Sequence, residues 1–177
     1  MNIRHALVAV TIAGVAASPS LADADDFKTG PLIDQYGPVT LVPGAEPLAQ
    51  NTAFKVAFDV TKRGEKGATN RRFESAARFL NMHAAVGVAP ENMKLAVVVH
   101  GPAVLDLTND TVYGGGNKNA ELIEVLLANG VSVHVCGQSA AYQNVKADDL
   151  LPGVKMAVSA MTAHALLQQQ DYTLNPF

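Results

Sequence analysis

Three observations predict an α/β fold with helices on both faces of a mostly parallel five-stranded sheet. Strand-length runs of β-favouring residues alternate with segments of helical period along most of the chain. One of those runs, residues 93–100 (MKLAVVVH), is continuously apolar, as expected of a strand covered on both faces. The 177 residues, 49% hydrophobic and 16% charged, suffice for one domain with a substantial core.

The first 22 residues are set aside as an export leader. Arg4 and His5 give a short basic start, and residues 6–17 are an apolar run of Ala, Val, Leu and Ile. Residues 18–22 (SPSLA) place small residues where a signal peptidase cuts, with Ala22 as the last leader residue and Ala24 as a second choice. The run is too short for a membrane span, so no membrane contact is expected after cleavage. The leader holds one of the 13 Lys and Arg and none of the 16 Asp and Glu, so cleavage would leave a net charge of -3 one unit more negative. The style of the leader points to a periplasmic protein. Residues 23–51 carry Pro31, Pro38, Pro43 and Pro47 and read as an extended arm, with an edge strand conceivable around residues 39–42.

The domain, residues 52–177, begins with TAFKVAFDVT (52–61). Phe54, Val56, Phe58 and Val60 alternate there with Ala53, Lys55, Ala57 and Asp59, which is a strand pattern. Residues 62–70 are a polar loop. Residues 71–86 form a helix with Phe73, Ala76, Ala77, Leu80, Ala84 and Ala85 near one face, ended by Gly87 and Pro90. The strand at 93–100 follows and is broken by Gly101 and Pro102. Residues 103–118 read as a loop. Asn119 is expected to cap a helix over 120–128, closed by Asn129 and Gly130. Residues 131–136 are the third strand, 139–146 a short helix and 154–158 a fourth strand. Ser159 caps a helix over 160–170, with Leu166 and Leu167 expected on its buried side. Residues 171–177 are a last edge strand. The order β-α-β-α-β-α-β-α-β, with right-handed crossovers, describes a flavodoxin-like three-layer sandwich.

In open parallel sheets, ligands bind at the carboxyl ends of strands. His100 closes the second strand and Cys136 the third. Cys136 is the sole cysteine of the chain, so an internal disulfide is impossible. A lone thiol in an oxidising compartment is either buried and inert or kept for reactivity. Cys136 precedes a helix, whose N-terminus favours a thiolate. Gly137 allows a sharp turn, and Gln138 and Ser139 can donate to a sulfur anion. His100 can tune the thiol or order the following loop. Asn109 and Tyr113 lie in that loop, which leaves from the same edge. His83 and His164 sit within helices and read as structural. His134 shares the face of Cys136.

Several functions are excluded or unsupported. With no basic block, no Trp and few aromatics, the chain offers no nucleic-acid or carbohydrate platform. Five dispersed histidines and one cysteine give no metal-ligand spacing, and no cofactor is implied. Neither a P-loop, a G-x-G-x-x-G after the first strand, nor a G-x-S-x-G elbow occurs. The run of Gly114, Gly115 and Gly116 is a weak phosphate cradle. Glu121 and Glu124 read as solvated helix charge.

From Phe54 to the C-terminus the chain resembles the DsrE/DsrF-like (YchN-like) sulfur-relay family, in its exported single-domain branch. The resemblance rests on the ordered set FKVAFDVT, RFLNMHAAVGV, LAVVVHG with Asn109, Asp110 and Tyr113, VHVCGQSA, and LLPGVKMAVSAMTAHALLQQQDYTLNPF. It implies a flavodoxin-like subunit assembling into trimers or hexamers. It also implies a cysteine, here Cys136, that passes sulfane sulfur as a persulfide, as a sulfurtransferase or sulfur carrier does. The donor would be a small sulfane-sulfur compound and the acceptor another protein. The export leader departs from the cytoplasmic members and puts their dedicated partners in doubt. Two other readings stay open: a non-catalytic assembly module of a periplasmic sulfur or redox pathway, and a redox-sensing thiol.

Overall fold

The computed structural model describes residues 23–175. The leader expected at 1–22 and the end of the last expected strand lie outside the described residues.

Five strands form one sheet: β1 (Phe54–Val60), β2 (Met93–Val99), β3 (Ser132–Cys136), β4 (Lys155–Ala157) and β5 (Thr173–Asn175). Their order is β4-β3-β2-β1-β5, and every pair is parallel. The helices are α1 (Arg71–Ala85), α2 (Asp110–Tyr113), α3 (Asn119–Ala128), α4 (Gly137–Tyr142) and α5 (Ala160–Gln168). Handedness explains the layers. From β1 to β4 the chain steps one way across the sheet, so right-handed crossovers place α1, α3 and α4 on one face. The return from β4 to β5 runs the other way and places α5 on the opposite face.

The two faces are unequal. Phe58, Val60, Leu95, Val97, Val99, Val133 and Val135 meet Phe73, Leu80, Leu122, Ile123 and Leu126 in a large core. On the other face a small cluster of Ala57, Ala96 and Val98 packs on Ala163 and Leu167 of α5. The alternation along β1, β2 and β3 therefore also puts Asp59, His100, His134 and Cys136 on the α5 face.

The arm is not loose. Ile33 is buried in the main core. The amide of Asn81, itself buried on α1, accepts from the N–H of Leu32 and Ile33 and donates to the carbonyls of Ile33, Tyr36 and Gly37. Gly37 is needed for this approach, since a Cβ there would lie 2.4 Å from the Arg78 nitrogen. Val39 pairs antiparallel with Lys28 of the same arm and not with the sheet, so the edge strand considered for 39–42 does not form. The sheet edges are taken by β4 and β5.

Helix starts follow their caps. Asn70 accepts from the Arg72 N–H and Ser159 from the Thr162 N–H. Asn119, expected as a cap, is instead the first residue of α3. Its side chain serves elsewhere: the oxygen accepts from the Asn70 N–H at 2.7 Å, and the nitrogen donates to Asn117. The expected loop 103–118 is also ordered. A 3-10 turn spans Gly101–Leu107, and Asn109 caps α2 by accepting from Val112. The fully buried Asp106 accepts from the Gly64 N–H, the Asn70 amide and Arg63. Asn117 donates to the carbonyls of Asp106 and Thr108. On α5, Leu167 is buried as expected, while Leu166, a further 100° round the helix, is exposed.

Candidate functional site

Cys136 ends β3 and serves as the N-cap residue of α4, which begins at Gly137, two residues earlier than expected. Asn144, with a left-handed φ of 57°, ends the helix, and the Val145 N–H bonds the Ala140 carbonyl. Gly137 has no unusual φ; its role is space. A Cβ there would lie 2.7 Å from the Ala157 carbonyl oxygen. Only glycine lets β4 and the start of α5 come this close to the sulfur.

Cys136 is buried, at 5% exposure for the residue, yet the surroundings of its sulfur are polar. Burial pushes the Cys136 thiol up. Donors outweigh that effect and hold it below its ordinary value: first the Ser139 hydroxyl, then the backbone N–H groups of Ser139, Ala160 and Gln138. These belong to the first turns of two helices, α4 and α5. Their pull is electrostatic and spread over a large, soft atom, for the Cys136 side chain makes no short capping bond. Ser139 is itself oriented, since its oxygen accepts the Gly101 N–H at 3.0 Å. Gln138 also donates from its side chain to the Val158 carbonyl, at 3.5 Å.

Beside the sulfur runs a second polar row. Val99 and Val135 are register partners on β2 and β3. One step past that pair, the alternation puts His100 and Cys136 on the same α5 face, and the N–H of Gly101, next to His100, bonds the Ser139 hydroxyl oxygen at 3.0 Å. His100 Nε2 contacts Asp59 Oδ2 at 3.1 Å, and His164 Nε2 contacts Asp59 Oδ1 at 2.8 Å. Burial pushes the Asp59 carboxyl up. Hydrogen bonds from His164 and then His100, with their charges, reverse this and hold it below its ordinary value. Among the described residues no group of three or more His, Cys, Asp and Glu could hold a metal ion.

The remaining sequence candidates lie apart from this row in their contacts. Asn109 caps α2, and its N–H bonds the Asp149 carbonyl at 2.7 Å. Tyr113 is buried under the Arg63 guanidinium, 5.0 Å from the ring centre. Both order the loop beyond His100. Gly114, left-handed, terminates α2, so the glycine run closes a helix. His83 bonds the Phe79 carbonyl, meets the Phe54 ring edge-on and lies tilted against the Phe79 ring. His134 contacts Ser132, and burial, then the Lys155 charge, push its pKa down. A basic cavity of about 680 Å³ opens over the start of α1, lined by Lys62, Arg63, Arg71, Arg72 and Arg78 but by no residue around Cys136.

Sequence reasoning missed Asp59 and placed His164 among structural residues. The available signal was in β1, where Asp59 is an acidic residue near a strand's carboxyl end, on the face opposite Phe58 and Val60.

Fold and site together define a class: a single-thiol α/β protein whose cysteine lies at the carboxyl edge of a parallel sheet, among helix-terminal donors. The model of the DsrE/DsrF-like family matches residues 55–176, and the chain belongs to that family. No curated protein matches significantly. Two solved structures share the fold. One is a protein of unknown function, MTH1491, from Methanobacterium thermoautotrophicum, at 18% identity and a TM-score of 0.55. The other is the ychN protein of E. coli, at 18% identity and 0.52. Each comparison covers 70% of this chain and 99% of the other.

Proposed function

We propose that this chain is a periplasmic sulfur-relay protein that carries sulfane sulfur as a persulfide on Cys136. Family membership suggests sulfur relay at the level of the family. The observation that carries the finer reading is the donor set around the sulfur. An inert buried thiol is surrounded by aliphatic groups and titrates high. Here burial is outweighed by the Ser139 hydroxyl and three N–H groups. Only the thiolate attacks sulfane sulfur, and those donors suit a terminal persulfide anion equally well.

Two further facts favour a carrier over a redox sensor. The chain has one cysteine, so a persulfide on it cannot resolve internally and must be handed on. Cys136 is 5% exposed, which admits one added sulfur atom more readily than a bulky mixed disulfide. The leader-like first 22 residues support a periplasmic site of action. We also read the exposed apolar side chains on the α5 face as the contact surface of a homo-oligomer.

The test is intact mass after incubating the mature protein with thiosulfate, polysulfide or glutathione persulfide. The expected result is a gain of one sulfur atom, reversed by dithiothreitol and absent in Cys136→Ser. No gain with any of the three donors overturns the reading.

A further inference from the structure

The donors around Cys136 stabilise charge, but none of them releases a proton near neutral pH. Sulfur transfer from a persulfide to a thiolate nevertheless expels a second thiolate from the donor, and a basic thiolate leaves faster when it is protonated as it goes. A proton source is therefore needed beside the sulfur. The Asp59–His100–His164 row shares the sheet face of Cys136, and the residue after His100, Gly101, bonds the Ser139 hydroxyl that serves the sulfur. Because a carboxylate only accepts, the hydrogen on each Nε2 is committed to Asp59. For His100 that makes Nδ1 the nitrogen at which protons come and go. The His164 bond to the other carboxylate oxygen prevents Asp59 from rotating away. The side chain of His100 is 34% exposed, so solvent can reprotonate it.

We propose that His100, held by Asp59 and His164, gives its proton to the thiolate that departs when Cys136 accepts sulfur. This deepens the persulfide reading and rests on it for the natural substrate. The Cys136 thiolate attacks the outer sulfur of a persulfide R–S–SH. The Sγ–S bond forms, the donor's S–S bond breaks, and its electron pair leaves on R–S. The His100 Nδ1 proton converts that group to R–SH, leaving Cys136 persulfidated and His100 neutral. No outside oxidant or reductant enters. His100 is the catalytic proton donor, while Asp59 and His164 are positioning residues. The other titratable groups on this face are Cys136, His134, Lys55 and Lys94, with Lys155 beside His134 and Tyr172 packed on the same cluster.

Two small reagents test this with the same adduct. Methyl methanethiosulfonate and dimethyl disulfide both place a methylthio group on Cys136. The first expels a sulfinate that needs no proton; the second expels methanethiolate, which does. His100→Gln is expected to slow the dimethyl disulfide reaction by about 10²-fold and leave the thiosulfonate reaction unchanged. Asp59→Asn and His164→Gln should move the same ratio in the same direction. A purely structural role would slow both reagents alike, and an unchanged ratio overturns the proposal. These reagents carry no sulfane sulfur, so the outcome separates from the mass test. A shifted ratio without persulfidation removes the relay reading and keeps the proton donor; persulfidation with an unshifted ratio does the reverse.

Discussion

Ser139 stands between a loop and the sulfur. Its oxygen accepts the Gly101 N–H, and its hydroxyl proton is the leading donor to Cys136. Ser139→Ala removes that donor and leaves the N–H groups in place. The thiol should then titrate higher, and the pH profile of iodoacetamide alkylation should move toward alkaline pH. The sign extends to stability. The folded thiol titrates below its ordinary value, so its ionisation adds stability above that ordinary value. This gain is lost as pH falls through the folded value. Ser139→Ala should therefore lose more stability at alkaline than at acid pH, read from urea unfolding at the two extremes. An unmoved alkylation profile would mean that the backbone N–H groups alone set the thiolate. Gly137 matters for the same chemistry by another route, since any side chain there meets the Ala157 carbonyl and drives α5 and its Ala160 N–H away from the sulfur.

At the scale of elements, the arm is held by one amide. Asn81 makes five hydrogen bonds to residues 32, 33, 36 and 37 from inside α1. Asn81→Ala leaves two choices. The arm stays and its polar groups go unpaired, or it peels away and Ile33 leaves the core. Either costs on the order of 2–3 kcal/mol, or a fall in Tm of about 4–10 °C for a domain of this size. Limited proteolysis between residues 23 and 40 distinguishes the two, and an unchanged Tm would show that the clamp is dispensable. This clamp also marks where sequence reading ends. β1, β2, α1 and the cap Ser159 were legible because alternation, helical period and capping are local patterns. Asn81, Asp106, Asn117 and Asn119 were not, because each serves groups on other elements. Asp59 meets His164 across 105 positions of sequence. The order of elements placed His100 and Cys136 on one edge of the sheet. The carboxylate that joins His100 to α5 needed coordinates.

At the scale of the molecule, the asymmetry of the sheet is the feature that asks for a partner. Among the described residues, three helices and the arm cover one face, while a single helix, Ala160–Gln168, covers the other. Val158 and Met161 are 72% and 80% exposed, and Leu166 and Leu174 are also exposed. They belong to the turn after β4, to α5 and to β5, so they flank the helix that guards the site. A second copy of the chain offers the same apolar surface and none of the cost of a foreign partner's charge. We expect a homo-oligomer at micromolar concentration, measured by light scattering coupled to size exclusion. Val158→Asp together with Met161→Lys should yield a monomer with unchanged circular dichroism, because neither side chain contributes to the core. If the cysteine site is complete within one subunit, that monomer should keep the wild-type alkylation profile of Cys136. If a neighbour closes over α5, alkylation should instead quicken as the sulfur loses its cover. A wild-type chain that remains monomeric up to the highest soluble concentration would refute assembly through this face.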